Sequence, residues 1–256
     1  MFGKQVLSVG RKGQRGFTLI EMSIVLAIIG LIVGGILKGQ EVLNNARLKS
    51  QVAQIDAVKA AVGTFQDRYN AWPGDFSPSA ALGLGSAANG NQTGAIVGSG
   101  SSVADNAGWD SDGELAFLQL SAANLLAGVI PSSGTTGTPV QTSMSSAKSG
   151  YLAGKVSNSW LVLQTFSSNG QIAPMVRLES AVPSTGAISA TTNLALKPLD
   201  AQGLDQKYDD GSPVNGAILV PSYATGCISG SGSTATYNTG SAASTAQVCD
   251  LLWVAD

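Results

Sequence analysis

The sequence predicts an α+β fold in which one long N-terminal helix packs against an antiparallel β-sheet. Three observations predict it: an apolar run over residues 17–37, a helical repeat of apolar residues that continues to Tyr69, and short alternating segments between turn residues later in the chain. Separation of helix and strands along the sequence is typical of α+β proteins.

The first half of the predicted helix is apolar enough to cross a bilayer. Residues 17–37 contain one charged residue, Glu21, and as a helix they would be about 31 Å long, which matches the hydrocarbon core. Four basic residues precede the run: Lys4, Arg11, Lys12 and Arg15. By the positive-inside rule, we expect a single span in contact with membrane lipid, with the rest of the chain outside the cytoplasm.

Residues 38–70 continue the helix with one apolar stripe, which we expect to lie on the sheet. The stripe consists of Leu48, Val52, Ile55, Val58, Val62, Phe65 and Tyr69. The following Trp-Pro-Gly sequence predicts that the helix ends near Asn70. Glycines at 34–39 leave open an alternative with two helices hinged there.

Residues 71–256 predict a globular domain. Gly, Ser, Ala and Asn dominate residues 77–108, which predicts a long surface loop. A short helix is expected over 113–127, capped by Asp112 and stopped by a glycine, and a second over 198–208, with a proline in its first turn.

Strands are expected in four places. Residues 157–167 and 171–180, separated by a short turn, predict an antiparallel hairpin. Pro174 predicts an edge or bulged position for the second strand of the pair. Two further strands are expected at 215–222 and 251–254.

Composition narrows the class of protein. The chain has no histidine, which removes the commonest general base, the usual metal ligand and the ordinary catalytic triads. Residues 17–256 contain ten basic and sixteen acidic residues, so this part of the chain has no excess of positive charge with which to bind nucleic acid. We therefore expect no direct nucleic-acid binding, and an anchored enzyme that uses carboxylates is the least favoured class.

The residues RGFTLIE, which end at Glu21, resemble the prepilin signature of the type IV pilin superfamily, to which type IV pilins and type II secretion pseudopilins belong. They combine a basic leader, Gly16, the aromatic Phe17 and a glutamate five residues beyond the glycine. The resemblance implies that a prepilin peptidase removes the leader, residues 1–16, and that Phe17 is N-methylated. Residues 17–37 would be retained as the transmembrane and assembly half of the N-terminal helix.

The resemblance also implies the pilin fold, in which the long helix packs on the sheet of the globular domain. Glu21 would pair with the α-amino group of Phe17, in its own or a neighbouring subunit. Such a pair would offset the cost of a carboxylate in lipid, roughly 2.5 to 3.5 kcal/mol at the bilayer centre and less near its edge. One residue departs from the pattern, because Lys38 stands where many type IV pilins have a helix-bending proline.

Partners and location follow from the same resemblance. The implied partners are further copies of the chain or other pilins of a mixed filament, the peptidase and methylase, and an inner-membrane assembly platform. The chain would first be a single-pass protein of a bacterial inner membrane with a periplasmic body. It would then enter an extracellular pilus or a periplasmic pseudopilus.

Cys227 and Cys249 are the two cysteines of the chain. In an exported protein such a pair is most simply a disulfide. It would close the loop 227–249, which is rich in Ser, Thr, Gly and Ala, and stabilise the fold by about 3 to 4 kcal/mol. The pair also resembles the C-terminal disulfide loop of many type IV pilins, and residues 229–244 are candidates for subunit contacts, surface variation or adhesion.

Two acidic clusters are weak candidates for calcium, since hard oxygen atoms are its preferred ligands. One contains Asp110, Asp112 and Glu114, and the other contains Asp205, Asp209 and Asp210. Neither has the spacing of a calcium-binding loop, and aspartates before glycine commonly cap helices or form turns. We therefore expect no cofactor. The second cluster is similar to an Asp-Asp-Gly turn of longer pilin-like proteins.

Two sugar-related interpretations are weaker. A pair of carboxylates is the minimum for glycoside hydrolysis, but nothing in the sequence places two of them across a cleft. Trp109, Trp160 and Trp253 are a conceivable platform for sugar stacking, although core packing is the simpler expectation.

The function expected from these observations is structural: a subunit of a type IV pilus or pilus-like filament. The intact Glu21 fits a subunit that polymerises, and the C-terminal cysteine pair with the chain length favours a pilus over a type II secretion pseudopilin. The alternative from another class is a monomeric, membrane-anchored surface binding or adhesion protein whose leader serves only export.

Overall fold

The computed structural model describes most of the chain. The described residues are 16–96, 111–132, 149–156, 158–168, 171–180, 194–221, 224, 226–240 and 246–255. The leader up to residue 15 lies outside them, as do residues 97–108 of the predicted surface loop. The chain divides into two compact units, Met1–Ala46 and Arg47–Asp256.

Helix α1, Leu19–Tyr69, confirms the predicted long helix and matches its bounds within two residues at each end. It runs without interruption through the glycines at 34–39, so the alternative of two hinged helices is wrong. At its C-terminus the Asn70 N–H still donates to the carbonyl of Gln66 (2.8 Å). Asn70 itself adopts a left-handed conformation (φ 51°), which asparagine tolerates better than most residues and which ends the helix.

A six-stranded antiparallel sheet follows, with strand order β1-β2-β3-β4-β8-β5, and a separate pair β6-β7. The strands are β1 (Ile130–Ser132), β2 (Ser149–Ala153), β3 (Trp160–Ser168), β4 (Gln171–Glu179), β5 (Ile218–Leu219), β6 (Ile228–Ser229), β7 (Thr236–Tyr237) and β8 (Leu252–Val254). The hairpin β3-β4 is as predicted, and β5 and β8 lie within the predicted segments. Strands β1, β2, β6 and β7 were not expected from the sequence.

Pro174 does not mark an edge or bulged strand, because β4 lies between β3 and β8 and pairs residue for residue with β3. The proline is tolerated because the β8 ladder begins only at the next residue, Met175. Its carbonyl still accepts a hydrogen bond from the Ala255 N–H (2.8 Å). Pro174 therefore lies where strand β8 ends, so the N–H group that proline lacks is not needed for the ladder between β4 and β8.

The apolar stripe of α1 packs on one face of the sheet, as predicted. Six of its seven members are buried, and they join one core cluster with alternate residues of the central strands. The strand residues of that cluster include Leu161, Leu163, Val176 and Leu178. Gln51, also buried, accepts hydrogen bonds from the N–H groups of Lys155 and Val156 and so fastens α1 to the chain between β2 and β3.

The opposite face of the same strands is buried as well. It holds Phe166, Met175 and Arg177, whose guanidinium lies over the Phe166 ring at 5.6 Å. Arg177 is paired with Glu179 and, at 2.9 Å from its Nε, with Asp250. A buried cation without such partners would be strongly destabilising, so this group requires all its members together.

Helix α2, Ser111–Ala122, is shorter at its C-terminus than predicted. Asn124 takes the left-handed conformation (φ 58°), and the Leu125 N–H returns to the Leu120 carbonyl (3.0 Å), which closes the helix before the predicted glycine. The segment before α2 is not a plain surface loop, because it contains two short 3₁₀ helices and buries Leu84 and Ala88 against α2.

Helix α3, Pro198–Tyr208, has the predicted bounds, with proline at its first position. Its buried residues are Pro198, Ala201, Leu204 and Asp205. The α+β architecture of one long helix on an antiparallel sheet is therefore confirmed, and the sequence after α3 supplies the disulfide loop and the last strand.

Candidate functional site

The first turn of α1 is closed by a reciprocal cap between Thr18 and Glu21. The Thr18 N–H and hydroxyl both donate to Oε2 of Glu21 (2.8 and 2.7 Å), and the Glu21 N–H donates to the Thr18 hydroxyl oxygen (3.3 Å). This is the capping box, in which two N–H groups left over at a helix start are satisfied by side chains. The Thr-x-x-Glu spacing in the sequence is the signal that could have identified Thr18 as the capping residue.

Gly16 and Phe17 precede the cap without helical structure. The predicted cut lies between them, and Phe17 is 81% exposed. In the uncut chain the Phe17 nitrogen is an ordinary peptide group, so the expected ion pair with Glu21 has no cation yet. Cleavage after Gly16, methylation of Phe17 and the ion pair stay predictions.

The part of α1 that follows the cap has no protein core around it. Within the described residues, α1 is the one helix long and apolar enough to cross a membrane, and its most apolar window, with a mean hydropathy of 2.5, is fully exposed. Large apolar side chains are exposed on all sides from Leu19 to Leu43. Lys38 and Glu41 form an exposed ion pair (2.7 Å) near the end of this stretch.

The two cysteines form the expected disulfide, and both are buried. Cys249 exchanges backbone hydrogen bonds with Leu196 (3.0 and 3.1 Å), and the Cys227 carbonyl accepts the Asn238 N–H (2.8 Å). The disulfide therefore closes the loop 227–249, and the hydrogen bonds of Cys249 with Leu196 hold that loop against the segment before α3.

A buried carboxylate holds the disulfide loop from a second side. Asp205 of α3 accepts hydrogen bonds from the Tyr237 hydroxyl of β7 (2.7 Å) and from the Gly211 N–H (3.1 Å). Burial raises the pKa of Asp205 to about 6, an effect opposed by these hydrogen bonds and reinforced by the charges of Asp209 and Asp210. Burial, and then Asp205 itself, also raises the pKa of Tyr237. No sequence signal pointed to Tyr237 as the partner.

Asp209 and Asp210 build the turn between α3 and β5. Oδ2 of Asp209 accepts the Ile218 N–H (2.7 Å), and Oδ1 of Asp210 accepts the Ser212 N–H (2.7 Å). Gly216 has φ 84°, and the Asp209 carboxylate fills the space that a side chain at this glycine would need. The turn role predicted for these aspartates is therefore confirmed.

Calcium stays an untested, weak candidate at both acidic clusters, and the expectation of no cofactor stays a prediction. One oxygen from each of Asp205, Asp209 and Asp210 lies within 4.8 Å of the other two. Asp110 and the side chains of Asp112 and Glu114 lie outside the described residues.

Trp160 and Trp253 lie in positions expected of residues that pack in the core. Trp253 is buried in the main core, and Trp160 packs edge-on against Tyr151 at 6.4 Å. Trp109 lies outside the described residues.

Comparisons with known proteins found one family model and one curated protein that are similar to part of this chain. The family model described as the prokaryotic N-terminal methylation motif matches residues 11–37. Fimbrial protein EcpC of Eikenella corrodens is 32% identical over 85 residues, which make up 33% of this chain and 54% of that protein. The chain thus spans about half the length of the curated relative it matches. No solved structure matches the chain significantly.

Removing the disulfide should lower the unfolding free energy of the globular unit, Arg47–Asp256, by about 3 kcal/mol. Without the bridge, the loop between Cys227 and Cys249 gains more conformational freedom when the chain unfolds. The double variant Cys227→Ala, Cys249→Ala should show this loss in denaturant unfolding of the full chain in detergent. Reduction of the wild type should reproduce it, while the reductant should leave the double variant unchanged. Equal stability with and without the bridge would contradict the assignment of a stabilising role.

Asp205 should make stability fall as the pH rises. Its pKa in the folded state lies above that of the unfolded chain, so its contribution is full below the unfolded value, 3.8, and is lost as the pH rises through about 6. Asp205→Asn should flatten the dependence of the unfolding free energy on pH between about pH 4 and about pH 7. The exposed Asp67→Asn serves as control, and identical slopes for wild type and Asp205→Asn would refute the prediction.

Proposed function

We propose that this chain, a member of the type IV pilin superfamily, is a structural subunit of a type IV pilus or pilus-like filament. The methylation motif at residues 11–37 and the similarity to a fimbrial protein support a pilin-type subunit rather than an enzyme. The architecture of a long helix on an antiparallel sheet agrees with this class. The cut after Gly16, the methylation of Phe17 and the kind of filament are parts of the proposal.

The observation that carries the proposal is the exposed, all-round apolar part of α1, most of which lies within the match to the methylation motif. Before assembly such a surface must be covered by lipid. We propose that in the filament the apolar helices of neighbouring subunits pack against one another and take the place of lipid. In an apolar surrounding, helices associate through close packing and through polar groups that find a partner. Glycines such as Gly30 and Gly34, with open space where a Cβ would lie, allow close approach.

Glu21 would supply the polar interaction that aligns subunits. Thr18 occupies only Oε2 of the carboxylate, and within the described residues Oε1 accepts no hydrogen bond. Cleavage would turn the Phe17 nitrogen into a cation, and methylation keeps its charge. We infer that the capping box holds the Glu21 side chain in place so that Oε1 can accept a hydrogen bond from the Phe17 ammonium group of a neighbouring subunit. An ion pair shielded from water is favourable only when its geometry is accurate.

A pilus is favoured over a secretion pseudopilus by the disulfide loop near the C-terminus, in line with the resemblance to many type IV pilins. The subunit would then be held in the inner membrane with its globular unit in the periplasm until an assembly platform inserts it into the filament. The other candidate is a monomeric anchored adhesion protein, which the same leader would export.

The mature N-terminus tests the processing step. Mass spectrometry of protein taken from its native membrane should find a chain that starts at Phe17 and carries one methyl group on its α-amino nitrogen. Cells without the peptidase should retain the leader and provide the control. A mature chain that starts at Met1 or beyond residue 37 would refute the proposal.

Substitution of Glu21 tests assembly. Glu21→Ala should abolish filaments in electron micrographs of sheared surface fractions while membrane levels of the protein stay near wild type, because Phe17 loses its partner. Glu41→Ala, which removes an exposed carboxylate on the same helix, should assemble normally. Thr18→Val keeps the carboxylate but removes a hydroxyl cap, so it should reduce filament number without abolishing it.

Normal filaments from Glu21→Ala would overturn the ion-pair role. Surface binding that persists in Glu21→Ala cells without filaments would instead favour the monomeric adhesion protein.

A further inference from the structure

A cavity of about 440 Å³ lies where α1 ends and the next segment begins, wholly within the unit Arg47–Asp256. Its volume is typical of sites for small organic ligands. The lining residues that matter here are Gln66, Tyr69, Asn70, Trp72, Phe76 and Gln92. None of them belongs to the apolar part of α1, to the disulfide loop or to the acidic turn.

Aromatic rings form one side of the cavity. The ring centroids of Tyr69 and Phe76 are 5.1 Å apart, and the buried Phe65 contacts both, at 4.5 Å from Tyr69 and 5.9 Å from Phe76. Trp72, like Tyr69 and Phe76, is only partly buried. These rings are therefore anchored in the core while part of their surface faces the cavity, which gives a flat, weakly polar wall.

Several polar side chains at the cavity have no hydrogen-bond partner within the described chain. They are the amides of Gln66 and Asn70, the Tyr69 hydroxyl and the Trp72 indole N–H. Together they offer both donors and acceptors and can satisfy a ligand that carries hydroxyl groups.

The cavity favours a neutral ligand. Asp75 is the one charged residue among the described lining residues, and its carboxylate is already bound by the N–H groups of Thr93 (2.7 Å) and Gly94 (2.9 Å). An anionic ligand would meet this carboxylate in a lining whose described residues include no cationic residue, since Arg68 lies outside the lining, over the Tyr69 ring at 5.5 Å from its centroid.

The walls are held in place before any ligand arrives. Segment 74–77 is joined to segment 90–94 by hydrogen bonds from Gly90 to Phe76 (3.0 Å) and from Gln92 to Ser77 (3.1 Å). The backbones approach so closely that Gly90 has no room for a Cβ. Buried Gln119 of α2 accepts the Gly74 N–H (2.7 Å) and donates to the Phe76 carbonyl (3.0 Å). Binding therefore needs little ordering of this loop.

We propose that this cavity binds a neutral carbohydrate, one or two sugar rings in size. The C–H face of a pyranose ring stacks on the aromatic wall, and its hydroxyl groups bond to Gln66, Asn70 and the Trp72 N–H. An aromatic face beside uncharged donors and acceptors is the combination that a sugar ring requires, whereas a purely apolar ligand would form no hydrogen bond with those polar groups.

The test uses the full chain in a phosphocholine detergent, which avoids sugar headgroups. Saturation-transfer NMR with the methyl glycosides of glucose, galactose, mannose and N-acetylglucosamine, and with lactose and cellobiose, should show binding of at least one. Tryptophan fluorescence titration should follow the same sugar. Glucuronate should bind at least tenfold more weakly, because its carboxylate meets Asp75.

Variants locate the site. Gln66→Ala and Tyr69→Phe each remove one hydrogen-bonding group and should weaken binding about 3- to 10-fold. Trp72→Ala should weaken it more than tenfold. The matched control is Asp67→Ala, an exposed neighbour of Gln66 outside the cavity, which should bind like the wild type. Thermal melting of each variant verifies folding, and if Trp72→Ala melts early, the two milder variants decide.

The proposal is overturned if no neutral sugar shows saturation transfer, if glucuronate binds equally well, or if Gln66→Ala and Tyr69→Phe bind like the wild type. The sugar site does not include Glu21, so the variant Glu21→Ala should bind sugar like the wild type even if it forms no filaments.

Discussion

The change of hydrophobic pattern along α1 is the constraint on which the rest of the structure depends. Up to Leu43 its apolar side chains point in every direction and are exposed, whereas from Leu48 onward they follow one stripe that is buried. An all-round apolar surface suits lipid or other helices, and a single stripe suits a sheet. One continuous helix thus meets two different surroundings, and the position of the change decides where the globular unit begins.

Buried polar side chains hold that globular unit together, since much of its sequence is glycine, serine and alanine. Gln51 links α1 to the chain after β2, Gln119 links α2 to the segment after α1, and Asp205 links α3 to the disulfide loop. Each joins segments far apart in sequence and satisfies backbone or hydroxyl groups that water no longer reaches. The same amide that braces the fold, Gln119, also shapes the wall of the proposed sugar site.

The sequence was most informative where a single segment determines its own structure. Both ends of α1, the bounds of α3 and the hairpin β3-β4 follow from local periodicity and turn residues. Strands β1, β2, β6 and β7 carry too few apolar residues for an alternating pattern, whereas the equally short β5 and β8 lie in apolar runs of the sequence. The hydrogen bond between Asp205 and Tyr237 spans 32 positions, and the burial of Leu84 and Ala88 depends on α2; neither has a local signal. The cysteine pair was predictable because an exported chain with two cysteines has few other choices.

The cap at the start of α1 is made only of residues that follow the predicted cut. Thr18 and Glu21 satisfy the first N–H groups between themselves, and the Met22 N–H bonds to the Thr18 carbonyl (3.3 Å). Precursor and product of the cut would therefore have the same first helical turn. If the chain is cut after Gly16, processing would add a positive charge at the start of a helix whose shape is already set, and the leader would delay that charge rather than help the helix to fold.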